Sequence, residues 1–373
     1  MPRIFEFSLG QQLILSTTPG LCRAISHPVA VDGQAGYRAR VHVRSSLAAT
    51  GHAWALVTAR DARGAVCMRE YLWPDGDSWH RHGPLPSSAA SLVLELAAGY
   101  GAGEVVFDQP DLHACPPPPP RIVRIGGVAL DFPGSHAGNA QAIAQAVGQA
   151  RQQGVHVLCT TENALQMRVS GTLTERALPP DAPALDTLRE AAVKAGLVLC
   201  VGCYERAADG IYNSAFLFGP SGDLGVYRKT QLPLEELEAG LLPGNHHAAI
   251  DTPFGRIGTM ICWEQSFPEV AQRLCRDGAE LLLCPTLGYM EVPAAARSAD
   301  NCLNQVVVCR THEPLPVRIF DATGALAAHT TTGPGMAFAD IDLNDQTRAP
   351  WYSVGEFGSW PRATLVAERR EGI

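Results

Sequence analysis

Upstream of the run "CPPPPPR", apolar and polar positions alternate along the chain. In "YRARVHVRS", Tyr37, Ala39, Val41 and Val43 interleave with Arg38, Arg40, His42 and Arg44, the period of a strand with one buried face. "HAWALVTARDARG", "CMREYLW", "SLVLELAAG" and "GEVVFDQPDL" repeat this texture between Gly, Pro and Ser turns. The pattern predicts a small all-β sandwich, jelly-roll-like, over residues 1–114. Trp54, Trp73 and Trp79 allow two readings, a carbohydrate-stacking platform or core aromatics. The second is favoured because large aromatic rings dominate cores.

Cys115 to Arg121 reads as a linker. Five consecutive prolines cannot enter a helix or a central strand and favour a stiff polyproline II spacer. Over 122–373 the pattern changes to apolar runs alternating with segments of helical period. "RIVRIGGVALDF", "VHVLCTTEN", "LVLCVGCYE", "YNSAFLFGPSG", "RIGTMICWE", "AELLLCPT", "QVVVCRT" and "VRIFDATG" read as strands. "SHAGNAQAIAQAVGQARQQG" reads as a helix closed by Gly154, and "DAPALDTLREAAVKAG" as a helix capped by its Asp and stopped at Gly196. Further helices are expected near 266–277 and 294–304. The result is an α/β domain of two sheets covered by helices.

Composition narrows the function classes. The 373 residues are 46% hydrophobic and 18% charged, as in ordinary globular proteins. A net charge of −8 argues against a nucleic-acid partner, which calls for a basic stripe. No apolar run reaches bilayer length and no secretory leader is evident, so a soluble, cytoplasmic protein without membrane partners is expected. Eleven cysteines, many inside apolar strands, read as reduced thiols. The adjacent His246 and His247 point apart and lack a ligand cluster, so no metal is expected. "GPSGDLG" lacks the lysine and helix of a phosphate cradle and reads as a hairpin turn.

Three polar residues end apolar strands: Glu162 after "VHVLCTT", Lys229 after "LGVYR" and Cys262 after "RIGTMI". Strand carboxyl ends are where α/β folds assemble ligand sites. A thiol is mostly protonated at neutral pH and needs a base or a positive field. Glu162 can take its proton. Lys229 can stabilise thiolate and oxyanion, with the Trp263 backbone N–H as second donor at a strand-to-helix elbow. Glu264 and Glu269 read as structural, capping or pairing near the helix start.

The ordered motifs around Glu162, "YRKTQLP" and "GTMICWEQSFPE…GAELLLCPT" resemble the nitrilase, or carbon–nitrogen hydrolase, superfamily over about residues 121–352. Asn139, Pro243–Gly244 and "ARSADN" (296–301) also match, with Asp300 in place of the usual Glu. The resemblance implies an αββα four-layer sandwich, a Glu162–Lys229–Cys262 triad, no cofactor and a homodimer. It also implies a second glutamate beside the lysine, among Glu235, Glu236 and Glu238. Counting forward from "LP" favours Glu236, which ranks first, and counting back from "PG" favours Glu238. Arg310–Thr311 and the tail "RAPWYSVGEFGSW" resemble the apolipoprotein N-acyltransferase branch, although Glu313 and Pro316 replace its usual asparagine and serine. The expected activity is cysteine-dependent hydrolysis of a non-peptide carbon–nitrogen bond in a small-molecule amide, through a thioester. Alternatives are acyl transfer to an amine, a nitrilase, or a binding protein whose catalytic domain has decayed.

Overall fold

A computed structural model describes residues 3–344 except 18–19, 48–51, 76 and 289, and omits the side chains of 3 and 73–75. The described chain divides into two compact units at the Pro120–Arg121 junction.

In the first unit two sheets face each other across one core. One has the order Arg3–Phe7, Leu21–Ser26, Ala89–Gly99, His52–Asp61, Val66–Tyr71, with Val29–Ala30 also paired to Ala89–Gly99. The other runs Leu13–Thr17, Gly103–Cys115, Gly36–Ser45, Ser78–Pro84, Trp73–Asp75. Tyr37, Ala39, Val41 and Val43 point into the core with Val57, Leu92, Leu94 and Phe107, while Arg38, Arg40 and Arg44 are exposed. Cys115 pairs with Gly36 as the last strand residue, so the segment without helix or strand is Pro116–Arg121, one residue shorter at its start than the expected linker. Trp54 stacks on Tyr100 from one sheet, with ring centroids 6.2 Å apart, whereas Trp79 packs against the core from the other. These two rings do not share a face, and the Trp73 side chain lies outside the described residues.

The second unit is an α/β sandwich of two six-stranded sheets. The first runs Gly222–Arg228, Ile211–Gly219, Val198–Arg206, Val157–Cys159, Ile122–Ala129, Gly335–Asp342. The second runs Ile250–Thr252, Gly255–Thr259, Leu281–Pro285, Asn304–Val308, Val317–Phe320, Leu326–His329. Three parallel strands form the middle of each. Their near-continuous apolar runs follow from burial on both faces. In Val198–Arg206, Val198 and Cys200 enter the core between the sheets, and Leu199, Val201 and Cys203 enter a second core under the helices His136–Gln152 and Pro183–Ala195. The sheets come so close at Gly127 that an added Cβ would lie 2.7 Å from side-chain atoms of Val308 and Val317. The helices Pro268–Arg276 and Glu291–Asn301 pack with the second sheet.

Several element ends differ from the sequence reading. The helix Pro183–Ala195 starts with Pro183 in its first turn behind Ala182 and has no side-chain cap, so Asp181 does not cap it. Residues Cys262–Ser266 form a separate 3-10 turn, and the following helix begins only at Pro268. The next helix begins at Glu291, ahead of the expected 294. The tail motif at 348–360 lies outside the described residues.

Candidate active site

Glu162 leaves the strand Val157–Cys159 in a turn held from three sides. The Thr160 N–H donates to the Cys200 carbonyl at 3.0 Å, and Thr161 Oγ1 donates to the Thr286 carbonyl at 2.6 Å. Asn139 Nδ2 donates to the carbonyls of Ala164, Leu165 and Met167. The neighbouring strand passes so near that a Cβ at Gly202 would lie 2.5 Å from the Asn163 nitrogen and 2.7 Å from the Glu162 Cα. Glycine is the residue that permits this approach. Glu162 is buried, with its side chain 1% exposed.

Lys229, equally buried, follows the strand Gly222–Arg228. Its backbone N–H donates to the Asn213 carbonyl, and its carbonyl accepts from Gly244, each at 2.8 Å. Gly244 is required there because a Cβ would lie 2.3 Å from the Arg228 carbonyl oxygen. Lys229 Nζ donates to Glu162 Oε1 at 3.1 Å and to Glu236 Oε1 at 2.8 Å. Glu236 comes from the one-turn helix Leu234–Glu238, while Glu235 and Glu238 are exposed. The structure therefore brings Glu236 to the ammonium. Burial opposes the lysine's charge, but Glu162, Cys262 and Glu236 outweigh it and raise its pKa. The Glu236 carboxyl is shifted upward, first by burial, with Glu162 adding to the shift and Lys229 opposing it.

Cys262 lies three residues beyond Thr259, the last residue of the Gly255–Thr259 strand, with φ at +49°. A non-glycine residue in this region stores strain, which functional turns often retain. Glu264 explains how the turn is held. Its fully buried Oε2 accepts from the Ile261 N–H at 2.7 Å. Its Oε1 accepts from Tyr227 Oη, the Thr230 N–H, Thr230 Oγ1 and the Gln231 N–H at 2.7–3.3 Å. One carboxylate thus clasps the segment after Lys229 to the segment before Cys262. Burial raises the Glu264 carboxyl despite these bonds.

The thiol itself is pushed up to about 11, first by burial and then by Glu162, with Lys229 and hydrogen bonds from Thr286 and Leu287 pulling the other way. Glu162, Lys229 and Cys262 therefore share one electrostatic environment. Trp263 is 43% exposed as a residue, and its ring is edge-on to Phe267, with centroids 5.9 Å apart. Its backbone N–H belongs to the first turn of the 3-10 segment, where N–H groups lack intrahelical acceptors.

Two residues at the site escaped the sequence reading in whole or part. Asn213, buried on the strand Ile211–Gly219, donates through Nδ2 to Glu162 Oε1 at 2.7 Å and to Glu236 Oε1 at 2.9 Å. Its only signal was a polar residue in the apolar run "YNSAFLF". Glu264 read as a local cap, and its long-range partners left no sequence signal. His247 Nε2 meets Thr230 Oγ1 at 2.9 Å, and His246 meets Asn245. Among the described residues no group of three or more His, Cys, Asp or Glu side chains is arranged to hold a metal, and no helix is long and apolar enough to cross a membrane.

The carbon-nitrogen hydrolase family pattern matches residues 123–350. A hydrolase of Schizosaccharomyces pombe, C26A3.11, is 28% identical over 67% of this chain and 87% of its own length. The citrullinase of Francisella tularensis is also 28% identical, over 44% of this chain and 61% of that protein. Among solved structures, an amidase from Nesterenkonia sp. superposes with a TM-score of 0.53 at 22% identity, covering 60% of this chain and 92% of that one. This likeness is one of fold, the four-layer αββα sandwich. The chain belongs to the carbon-nitrogen hydrolase family of the nitrilase superfamily.

Proposed function

We propose that the chain is a cysteine-dependent amidase that cleaves a small-molecule amide through a thioester on Cys262. The observation that carries this reading is the buried Lys229 ammonium shared by Glu162 and Glu236 within the field of the Cys262 thiol. Glu162 Oε2 and Glu236 Oε2 are buried and have no hydrogen-bond partner among the described residues, so each carboxylate retains one acceptor for a reacting group. With the thiol raised to about 11, attack starts from S–H and needs proton transfer in the same step.

Glu162 Oε2 takes the thiol proton as Sγ bonds to the carbonyl carbon. The oxyanion is held by Lys229 and the Trp263 N–H, and Glu236 Oε2 accepts an N–H of the amide. On collapse the C–N bond breaks, and the proton on Glu162 passes to the departing nitrogen. Glu162 then removes a proton from water, which attacks the thioester. The acid leaves, and the proton held by Glu162 returns to sulfur.

The test is ammonia release from a panel of primary amides and carbamoyl compounds, with Cys262→Ala as control. Mass spectrometry of the reacting enzyme is expected to find the acyl group on Cys262 and not on Cys159 or Cys284. Undiminished turnover by Cys262→Ala would end the assignment.

A further inference from the structure

Asn213 and Lys229 reach the same two oxygens. Asn213 Nδ2 is 2.7 Å from Glu162 Oε1 and 2.9 Å from Glu236 Oε1, and Lys229 Nζ is 3.1 and 2.8 Å from the same atoms. Two donors and two acceptors form a closed ring. The Lys229 N–H also donates to the Asn213 carbonyl at 2.8 Å, so backbone pairing sets the two side chains next to each other. The amide orientation follows from chemistry. Both neighbours are carboxylate oxygens, which only the NH₂ end can satisfy. Asn213 Oδ1 is left buried with no hydrogen-bond partner among the described residues, a cost that the two charge-assisted bonds offset.

We infer that Asn213 is a positioning residue, a neutral clamp that fixes the rotation of both carboxylates and keeps Glu162 Oε2 and Glu236 Oε2 turned toward the reacting groups. Neutrality matters. Two carboxylates and one ammonium carry a net charge of −1, enough for one working base. A second cation at position 213 would compensate that charge and weaken Glu162 as a base. An asparagine supplies two N–H bonds without doing so. The other titratable groups that feel the ring's charge include Cys262, Cys284 and Tyr204; the Tyr204 hydroxyl is raised to about 12, first by burial and then by both glutamates.

The inference rests on the amidase reading, so its experiment has two readouts. In Asn213→Ala, kcat/KM for the amide is expected to fall on the order of 10- to 100-fold, the scale of losing hydrogen bonds to charged groups. The acid limb of its pH profile is expected to move up by about one unit, because a carboxylate that loses an N–H donor holds its proton more tightly. The pH dependence of Cys262 alkylation by iodoacetamide, which needs no substrate, is expected to change in the same variant, because the thiol lies in the field of Glu162 and Lys229. Asn213→Asp keeps the shape but adds a third carboxylate, and is expected to be less active than Asn213→Ala at neutral pH.

A wild-type pH profile in Asn213→Ala, or wild-type activity in Asn213→Asp, would overturn the clamp while leaving the amidase reading intact. A shifted alkylation profile in a protein whose wild type shows no Cys262-dependent turnover would retain the clamp and defeat the amidase. Should Asn213→Ala fail to fold, Asn213→Ser, which keeps one donor, is read in its place. Lost stability with unmoved pH profiles would then assign a structural role and reject the inference.

Discussion

Replacing Glu162 by Gln is expected to move two reactivities of the same sulfur in opposite directions. Burial is the larger reason that the Cys262 thiol lies near 11 instead of the ordinary 9.0, and the Glu162 charge is the next. Removing that charge leaves Lys229 acting on the thiol with less opposition. At pH 8 a thiol of pKa 11 is ~0.1% ionised, and each unit by which the pKa falls raises the thiolate about tenfold. The lower-pKa thiolate is a weaker nucleophile, and a Brønsted slope near 0.4–0.5 leaves a net gain of about threefold per unit. Alkylation of Glu162→Gln by iodoacetamide at pH 8 should therefore accelerate by about that factor. Amide turnover should fall by roughly 10²–10⁴, the usual worth of a positioned general base and acid. The assay pairs alkylation, followed by intact mass, with ammonia release on the same preparation. If alkylation slowed in step with turnover, Glu162 would be what makes the resting sulfur nucleophilic, and proton transfer concerted with attack would be the wrong description.

Four further outcomes follow from the same geometry. Wild-type alkylation should rise about tenfold per pH unit from pH 8 to 10 and level near the thiol's pKa; a plateau already at pH 7 would contradict the buried thiol. The raised thiol pKa also links to stability: its contribution is complete below the unfolded value of 9.0 and is lost as pH rises through about 11. The unfolding free energy of wild type relative to Cys262→Ala should accordingly drop by on the order of 2 kcal/mol between pH 9 and 11, as read by urea denaturation. Gly202→Ala should lower the urea midpoint by the equivalent of about 3 kcal/mol, since backbone atoms at 2.5–2.7 Å cannot yield as a flexible side chain can. Glu236→Gln should reduce amide turnover by roughly tenfold or more, as expected when one charged partner of the ammonium and substrate is lost, whereas the exposed Glu238→Gln should match wild type.

Much of the second unit was legible because its central strands are buried twice. Val198, Cys200, Leu199 and Val201 leave no polar position in their run, and such a run bounded by glycine and charge reads as a strand without tertiary information. The polar residues at the ends of those runs, Glu162, Lys229 and Cys262, stood out against that background. The edge strand Gly335–Asp342 did not, because its pairing with Ile122–Ala129 spans most of the unit and its burial is partial. Helix starts shifted for local reasons: Cys262–Ser266 tightens into a 3-10 turn before Pro268 can open the next helix.

The second glutamate shows where counting fails and geometry decides. Glu236 and Glu238 lie two residues apart on one short helix, and at about 100° per residue their side chains diverge by about 200°. Only one of them can face a fixed ammonium, and a two-residue shift of register in the "LPLEELEAG" turn would put Glu238 where Glu236 stands. What selects Glu236 lies elsewhere in the chain. The Asn213 amide, on a strand more than twenty residues upstream, offers its second N–H to Glu236 Oε1, and Lys229 is pinned to that strand by its own backbone. The choice is thus made by a strand pairing that brings a donor pair to one side of the helix. Sequence can name the chemistry of the ring; the hydrogen-bond register between Ile211–Gly219 and the Lys229 segment determines which carboxylate closes it.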